Sequence, residues 1–256
     1  NSFFAFILFG FCASSVYLLN DLLDIQDDRH HASKKKRPIP SGKVSLVACS
    51  LLIPLLLTGV FSASIKFLPF HFTLSLLIYF VLSLLYSLSL KQKVILDVHV
   101  LAGLFTMRIV AGTAVIAAEF SFWLLTFSIF IFLSLAIVKR YTELLSIKGA
   151  DEKATKGRGY LVSDMGLLCS MGVAAGYLSV LVLALFIVES QMSQKYNSPE
   201  LLWLMIPVLL YWISRTWIIV HRGIMHDDPI VFALKDQASR YIGALSGAIV
   251  ASAIWL

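Results

Sequence analysis

The chain has 256 residues, of which 59% are hydrophobic and 14% are charged. A soluble domain carries roughly a quarter charged residues, so this composition excludes a soluble globular protein and a disordered chain. The net charge of +6 does not indicate nucleic-acid binding, because the basic residues lie in short segments between apolar runs, where they set topology and contact lipid head groups.

The apolar runs predict an all-α polytopic membrane protein with about eight spans. Each run is about 20 residues long, which suffices for a helix to cross a bilayer, and the runs are continuous, which excludes a transmembrane β-barrel. In chain order, the predicted spans are residues 1–19, 44–62, 68–90, 95–117, 120–138, 164–188, 200–220 and 238–256. Gly112, Gly172 and Gly176 fall inside these spans, where small residues favour close helix packing.

The connections between the predicted spans differ in charge. Those after the first, third, fifth and seventh spans hold most of the lysines and arginines, whereas those on the other side hold only Lys66 and Lys195. The positive-inside rule places the first set in the cytoplasm, and we expect a plasma (inner) membrane protein with its active site at that face. Acidic residues cluster on the same face although they contribute little to topology, which suggests a site for a polyanion bridged by a divalent metal ion.

An aspartate-rich segment follows the first predicted span. If the helix continues, Asp21, Asp24 and Asp28 lie within about 60° of one another on one stripe. Mg²⁺ prefers oxygen ligands and retains waters and substrate phosphates, so one or two carboxylates per ion suffice. Lys36 and Arg37 belong to a cationic run that suits phosphate oxygens. The alternatives are a solvated helix end for the aspartates and a lipid-contacting, topology-setting cluster for the cations.

These residues resemble the first signature of the UbiA superfamily of intramembrane prenyltransferases. The resemblance covers essentially the whole chain and rests on Asn20-Asp21-x-x-Asp24-x-x-x-Asp28, Arg37-Pro38-Ile39-Pro40-Ser41-Gly42, and Tyr86-Ser87-x-x-Leu90-Lys91 followed by Asp97. It implies one transmembrane domain over residues 1–256 of a nine-helix fold, with a cavity open sideways to lipid and with the first helix missing. It also implies that Asp21, Asp24 and Asp28 are catalytic ligands of Mg²⁺, and that Asn20 and Lys91 bind substrate.

The connection after the fifth predicted span departs from ordinary members of this superfamily, which carry a second aspartate-rich motif there. In this chain the corresponding stretch reads Lys139-Arg140-Tyr141-Thr142-Glu143-Leu144. It is similar to the branch that transfers 5-phosphoribose from phosphoribosyl diphosphate to polyprenyl phosphate, the decaprenyl-phosphate phosphoribosyltransferase-like branch. The late stretch from Asp227 to Asp236 also resembles that branch, although a polar turn broken by Pro229 is an equal alternative for Asp227 and Asp228.

This branch implies further substrate-binding residues. Lys139 and Arg140, together with Arg37 and Lys91, are candidates to place phosphates. Tyr141 and Glu143 are candidates to contact ribose. The alternative for Glu143 is an i,i+4 surface ion pair with Lys139, which would contribute a few tenths of a kcal/mol.

Two charges lie inside predicted spans. A charge in the membrane is costly and normally faces a polar cavity or a partner. Arg108 is therefore a further substrate-binding candidate, and Arg215 is a second such charge. Structural pairing with a carboxylate or carbonyl on a neighbouring helix is the alternative for each.

The sequence thus predicts a Mg²⁺-dependent transferase that moves 5-phosphoribose from phosphoribosyl diphosphate to polyprenyl (decaprenyl) phosphate in the bilayer, with release of diphosphate. Homo-oligomerisation stays open, and no nucleic-acid partner is expected. The main alternative is prenyl transfer from a prenyl diphosphate to an aromatic or other lipophilic acceptor, which would need two aspartate clusters. A lower alternative is a transporter of an anionic lipid or metabolite, although transporters often show internal repeats and none is evident.

Overall fold

A computed structural model describes residues 1–30, 35, 38–116, 118, 121–148, 158–188, 196–225 and 228–256, without the side chains of residues 27, 28 and 30. The α-helices are α1 (Ser2–Leu23), α2 (Ile25–His30), α3 (Leu46–Phe67), α4 (Phe70–Leu88), α5 (Leu96–Ile116), α6 (Phe122–Lys148), α7 (Met165–Val188), α8 (Met205–His221), α9 (Pro229–Lys235) and α10 (Gln237–Trp255). Short 3₁₀ helices span Leu90–Gln92, Val162–Asp164 and Pro199–Leu204.

The predicted all-α polytopic architecture is confirmed. Within the described residues, seven helices are long and apolar enough to cross a membrane, namely α1 and α3 to α8, the last two counted with the 3₁₀ helix that precedes each. Helix α10 occupies the eighth predicted span but is not among the seven. Its first turn holds Gln237 and Arg240, and serines and glycines interrupt the rest of its apolar sequence.

Two helix boundaries differ from the sequence prediction, and both lie at charged residues. Helix α6 continues to Lys148, well beyond the predicted end at residue 138, because the charged side chain of Arg140 is buried and paired rather than solvated. The first span does not continue as one helix. It breaks at Asp24, whose φ of −92° and ψ of 7° end α1 before α2 begins. The expectation that the first helix continues unbroken through Asp28 is therefore wrong, and the stripe itself stays a prediction because the side chain of Asp28 lies outside the described residues.

The chain divides into two compact units. The first consists of Asn1–Lys91 and Leu104–Phe120, and the second of Gln92–Gly103 and Ser121–Leu256. Helix α5 therefore contributes its first two turns to the second unit and the remainder to the first. Each unit holds its own set of charged candidate side chains.

In the first unit, α1 packs against α3 and α4. The buried side chains of Cys12, Phe72 and Leu76 are at this contact region. The rings of Phe9 and Tyr79 lie 4.6 Å apart between centroids, a distance typical of favourable aromatic pairs. These contacts fix the position at which α1 ends, and Asn20 and Asp24 lie at that end.

In the second unit, α6, α7 and α8 form the core. Gly172 and Gly176 of α7 let the neighbouring helices approach, because a Cβ at either position would overlap Trp217 or Ile213 of α8. Trp217 Nε1 donates to Ser134 Oγ (3.1 Å), and that hydroxyl donates to the Gly172 carbonyl (2.7 Å). The predicted packing role is confirmed for these two glycines.

The same prediction is wrong for Gly112 of α5. Among the described residues, no atom lies within 4 Å of a Cβ built at this position. The residue type alone did not distinguish a glycine at a helix contact from one that faces open space.

We predict that Gly172→Ala destabilises the protein by about 1–3 kcal/mol, the usual cost of overpacking a core. The new Cβ would lie 2.1 Å from Cζ2 of Trp217, so the indole must shift and break its hydrogen bond to Ser134. The measurement is the Tm in detergent solution. Gly247→Ala in α10 is the matched control, because its Cβ meets nothing within 4 Å in the described residues. Equal Tm values for the two variants would contradict the prediction.

Candidate functional site

The first unit brings together three of the predicted site residues at the end of α1. Lys91 Nζ lies 2.5 Å from Asp24 Oδ1 and 3.5 Å from Asn20 Oδ1. Asn20 Nδ2 also donates to Asp24 Oδ2 (3.2 Å). The two side chains of the ion pair are 11% exposed for Lys91 and 28% for Asp24, so the cluster lies at an accessible edge. The stretches that resemble the family motifs include all three residues, and the structure places their side chains in contact.

The other residues of the first motif are described only in part. Asp21 follows Asn20 in the last turn of α1 and is half-buried. The side chain of Asp28, and both Lys36 and Arg37, lie outside the described residues. Among the described residues, no group of three or more His, Cys, Asp or Glu side chains is close enough to hold a metal ion.

In the second unit, a buried ion pair joins α5 to α6. Arg140 Nε donates to Asp97 Oδ2 at 2.5 Å, and the side chains are 1% and 0% exposed respectively. Removing two charges from water is costly unless they are paired and further hydrogen bonds complete their shells. Both residues have such bonds: Arg140 NH1 donates to Glu143 Oε2 (2.6 Å), and the Tyr160 hydroxyl donates to Asp97 Oδ1.

Tyr160 attaches the segment before α7 to the start of α5. Its hydroxyl accepts the backbone N–H of Ile95 (2.8 Å) while it donates to Asp97. Ile95 has a φ of 67°, a left-handed conformation that is strained for a β-branched residue. Gly159 leaves no room for a side chain, since its Cβ would lie 2.7 Å from Val94 Cγ2. Burial and the bond to Asp97 raise the pKa of Tyr160 above its ordinary value, so the phenol remains a donor.

Glu143 is the exposed end of this network. Its Oε2 also lies 3.8 Å from Arg158 Nε, and its side chain is 36% exposed. The alternative of an i,i+4 pair between Lys139 and Glu143 is wrong. Lys139 instead binds Asp228 at 2.7 Å, and Asp228 also caps α9 by accepting the Ile230 N–H.

Tyr141 follows Arg140 in α6 and contacts α8. Its hydroxyl lies 3.0 Å from His221 Nδ1, and its ring meets the ring of Trp217 edge-on at 6.1 Å between centroids. The side chain is buried, so it stabilises the contact between α6 and α8. Its predicted contact with ribose stays a prediction.

Arg108 of α5 lies in the first unit among aromatic rings. Its guanidinium carbon is 4.5 Å from the Phe105 ring centroid and 5.7 Å from that of Tyr79, and cation–π attraction of this kind stabilises a desolvated arginine. Its NH1 atom is buried and has no hydrogen-bond partner in the described part of the chain. No ion pair of Arg108 is seen among the described residues, and its predicted contact with substrate stays a prediction.

Arg215 shows the structural pairing that the sequence left as an alternative. It binds Asp236 through two nitrogens, at 2.7 and 3.0 Å, and Asp236 also caps α10 by accepting the Ser239 N–H. The bonds from Arg215 lower the pKa of Asp236 to about 2. The pair joins α8 to α10.

Four residues that the structure places in these networks were not among the predicted site residues: Asp97, Arg158, Tyr160 and His221. Asp97 had been noted as part of the stretch that carries the family resemblance. Asp97 carried a usable signal, because a carboxylate at the start of an apolar span requires a partner. The other three lie outside any recognised motif and become neighbours of the candidate residues only after folding.

Comparisons with known proteins agree with the fold and the motifs. Residues 1–235 match the UbiA prenyltransferase family. The chain is 38% identical to the uncharacterized protein y4nM of Sinorhizobium fredii, over 94% of this chain and 47% of that protein. It is 36% identical to the nodulation protein NoeC of Azorhizobium caulinodans, over 92% of this chain and 76% of that protein. The chain therefore spans about half the length of y4nM.

More distant relatives include an enzyme of stated activity and a solved structure. The decaprenyl-phosphate phosphoribosyltransferase of Mycolicibacterium smegmatis is 27% identical, over 96% of this chain and 79% of that protein. A UbiA homologue from Archaeoglobus fulgidus, solved bound to DMAPP and Mg²⁺, superposes with a TM-score of 0.73 and 16% identity, covering 98% of this chain and 85% of that one. The predicted UbiA-like helical fold is confirmed.

We predict that the stabilising effect of the pair between Arg215 and Asp236 is lost in acid. The pKa of Asp236 in the folded protein is about 2, below its ordinary value of 3.8. Its contribution, about 2 kcal/mol, is therefore complete above about pH 4 and disappears as the pH falls towards 2. Asp236→Asn keeps a capping side chain and should lower the Tm at pH 7 but have little effect near pH 2.

Asp164→Asn is the control for this experiment. Asp164 accepts a backbone N–H from Leu161 and makes no ion pair in the described residues, so its substitution shows what the change from carboxylate to amide does to the Tm where no arginine partner is lost. A deficit of Asp236→Asn that persists unchanged at pH 2 would show that lost packing, not lost charge, is responsible.

Proposed function

We propose that this chain, which belongs to the UbiA prenyltransferase family, is an intramembrane transferase that moves 5-phosphoribose from phosphoribosyl diphosphate to a polyprenyl phosphate. The bond between the anomeric carbon and the diphosphate breaks, a bond from that carbon to an oxygen of the lipid phosphate forms, and diphosphate leaves. The lipid phosphate is already an anion, so the nucleophile has no proton to lose. It needs to be positioned rather than activated.

The observation that carries this proposal is the pair of Arg140 and Glu143 in α6. Ordinary members of the superfamily carry a second aspartate-rich motif in the corresponding stretch, which suits a metal-bound prenyl diphosphate. In this chain one carboxylate is held there by a guanidinium. A carboxylate oxygen accepts hydrogen bonds from hydroxyl groups, which ribose has and a prenyl chain lacks. The similarity to a decaprenyl-phosphate phosphoribosyltransferase over 96% of the chain supports the same conclusion.

The donor set at the end of α1 fits Mg²⁺. Asn20, Asp21 and Asp24 supply amide and carboxylate oxygens, the hard ligands that this ion prefers, and Mg²⁺ needs only one or two protein carboxylates beside waters and phosphates. Asp21 and Asp24 would hold it, with Asp28 as a third candidate. The chemistry that Mg²⁺ supplies when bound is neutralisation of charge on the diphosphate, which makes it a better leaving group.

The residues of the chain itself bind and orient the substrates. Lys91 orients the Asp24 carboxylate through its 2.5 Å contact and adds a positive charge next to the phosphates. We assign Lys139, with Lys36 and Arg37 of the cationic run, to phosphate binding. Glu143 accepts from ribose, and the apolar helices bind the polyprenyl chain with about 0.8 kcal/mol for each buried CH₂ group.

Prenyl transfer to a lipophilic acceptor is the second candidate. The observation that favours it is the fold, because a structural neighbour is a UbiA homologue bound to DMAPP and Mg²⁺. At 16% identity this similarity concerns the fold alone. The altered second motif argues against this candidate, since prenyl transfer is expected to use two aspartate clusters.

We also propose that the chain forms one domain over residues 1–256 in the plasma (inner) membrane, with its active site facing the cytoplasm. The asymmetric distribution of lysine and arginine supports this orientation through the positive-inside rule. A charged, soluble donor such as phosphoribosyl diphosphate is available at that face.

We predict that the purified protein, supplied with Mg²⁺ and polyprenyl phosphate, transfers radiolabel from phosphoribosyl diphosphate into lipid. The measurement is label extracted into organic solvent, with omission of the lipid phosphate as the blank. Parallel reactions contain a labelled prenyl diphosphate and an aromatic acceptor. Label transfer only in the parallel reactions would replace the proposal by prenyl transfer.

We predict that Asp24→Asn lowers turnover by about 100-fold or more, since loss of even an indirect metal contact typically costs 10–100-fold. The variant keeps the size of the side chain, so its Tm should stay within a few degrees of the wild-type value. Glu200→Gln is the control, because Glu200 is exposed and belongs to neither cluster. Full activity of Asp24→Asn would remove Asp24 from the metal site.

A further inference from the structure

We infer that Asp97 and Tyr160 are positioning residues for ribose recognition, which act through Arg140 to hold Glu143 so that one carboxylate oxygen accepts hydrogen bonds from the ribose hydroxyls of the donor. This inference rests on the proposed phosphoribosyl transfer and deepens it. All four residues belong to the second unit.

The first step is the anchoring of Tyr160. Its hydroxyl is used twice, as a donor to Asp97 Oδ1 and as an acceptor of the Ile95 N–H. The side chain is 1% exposed. The pair of bonds ties the segment before α7 to the strained turn at Ile95, and Gly159 passes so close to Val94 that a Cβ would lie 2.7 Å from Val94 Cγ2.

The second step is the orientation of Asp97. Each of its oxygens has its own donor, Tyr160 at Oδ1 and Arg140 at Oδ2. The carboxylate is completely buried, so a rotation about its side-chain bonds would leave a charge in the interior without a partner. Such rotations are strongly disfavoured, and the direction of the Arg140 guanidinium is therefore fixed.

The third step is the orientation of the exposed Glu143 carboxylate by the Arg140 guanidinium. Arg140 uses Nε for Asp97 and NH1 for Glu143, one turn further along α6. Both ion pairs of the Glu143 side chain with described residues, those with Arg140 and Arg158, involve Oε2. No described residue is seen to bind Oε1, and the side chain is about one third exposed. A fixed acceptor of this kind suits a hydroxyl donor.

A fixed acceptor also explains selectivity for ribose. A site that is built to hydrogen-bond a substrate hydroxyl rejects an analogue without it, because the acceptor is then left without a partner. A mobile carboxylate would turn towards water instead and lose much of this selectivity. The rigidity supplied by Asp97 and Tyr160 is thus expected to govern the preference for ribose rather than the affinity for the lipid.

The test is Tyr160→Phe, which keeps the buried ring and removes the hydroxyl. For each protein, kcat/KM is measured with phosphoribosyl diphosphate and with analogues that lack the 2- or 3-hydroxyl. The same analogues are compared across variants, so differences in their intrinsic reactivity cancel. We expect the preference for the hydroxylated donor to fall about tenfold, in line with the usual net contribution of a hydrogen bond. The KM for polyprenyl phosphate should not change.

Further variants distinguish a loss of positioning from a general loss of stability. Glu143→Gln should lower the preference at least as much, and adding Tyr160→Phe to it should cause little further loss, because the two residues act in series. Tyr241→Phe is the matched control, since Tyr241 is exposed and its hydroxyl also accepts a hydrogen bond, from Gln237. Asp97→Ala is less useful, because it removes the buried carboxylate that pairs with Arg140 and is expected to prevent folding.

The outcomes are distinguishable. An unchanged preference in folded Tyr160→Phe overturns the inference and leaves phosphoribosyl transfer standing. Fully additive losses in the double variant overturn it as well. A folded wild-type protein that transfers no phosphoribose refutes the proposed function, and the inference fails with it.

Discussion

The structure depends on the burial of one ion pair, Arg140 with Asp97. Both side chains are essentially inaccessible, and neither charge is tolerable inside an apolar protein without the other. The pair fixes how the start of α5 meets the end of α6. It also determines that Tyr160 lies beside Asp97 and that Glu143 projects beside Arg140. The second cluster of candidate residues is built outward from this contact.

The same constraint explains the other charges near or within the apolar helices. Lys91 pairs with Asp24, Lys139 with Asp228 and Arg215 with Asp236. Each pair joins segments far apart in sequence, and each carboxylate also caps a helix or accepts from a neighbouring side chain. Arg108 differs from these pairs, since its guanidinium lies over the rings of Phe105 and Tyr79. A cation stabilised in this way keeps hydrogen-bonding capacity in the membrane interior.

The sequence was sufficient to predict the helical class, most of the spans, and Asn20, Asp24 and Lys91 as candidate site residues. Apolar run length is a property of local sequence, and the motif resemblance marked each of the three residues, whereas their mutual contact is seen only in the structure. Ion-pair partners are decided by tertiary packing, which a single sequence does not display. For this reason Lys139 was matched with Glu143 rather than Asp228. The continuation of α6 through Arg140 was missed because a charged residue predicts the end of a span. Only the structure shows that this charge is buried and paired with Asp97.

The two clusters differ in how they compensate negative charge, and this difference bears on the proposed chemistry. In the first unit, Lys91 pairs with Asp24, and Asp21 precedes Asp24 by three residues, which suits a site completed by a metal ion and phosphates. In the second unit, Asp97 and Glu143 are compensated by guanidinium groups of the chain itself. A carboxylate neutralised by an arginine has little affinity left for a cation but still accepts hydrogen bonds. Replacement of the second aspartate-rich motif by this arrangement therefore converts a metal-binding stretch into one suited to hydroxyl groups, and that is the change expected when the transferred group is a sugar rather than a prenyl chain.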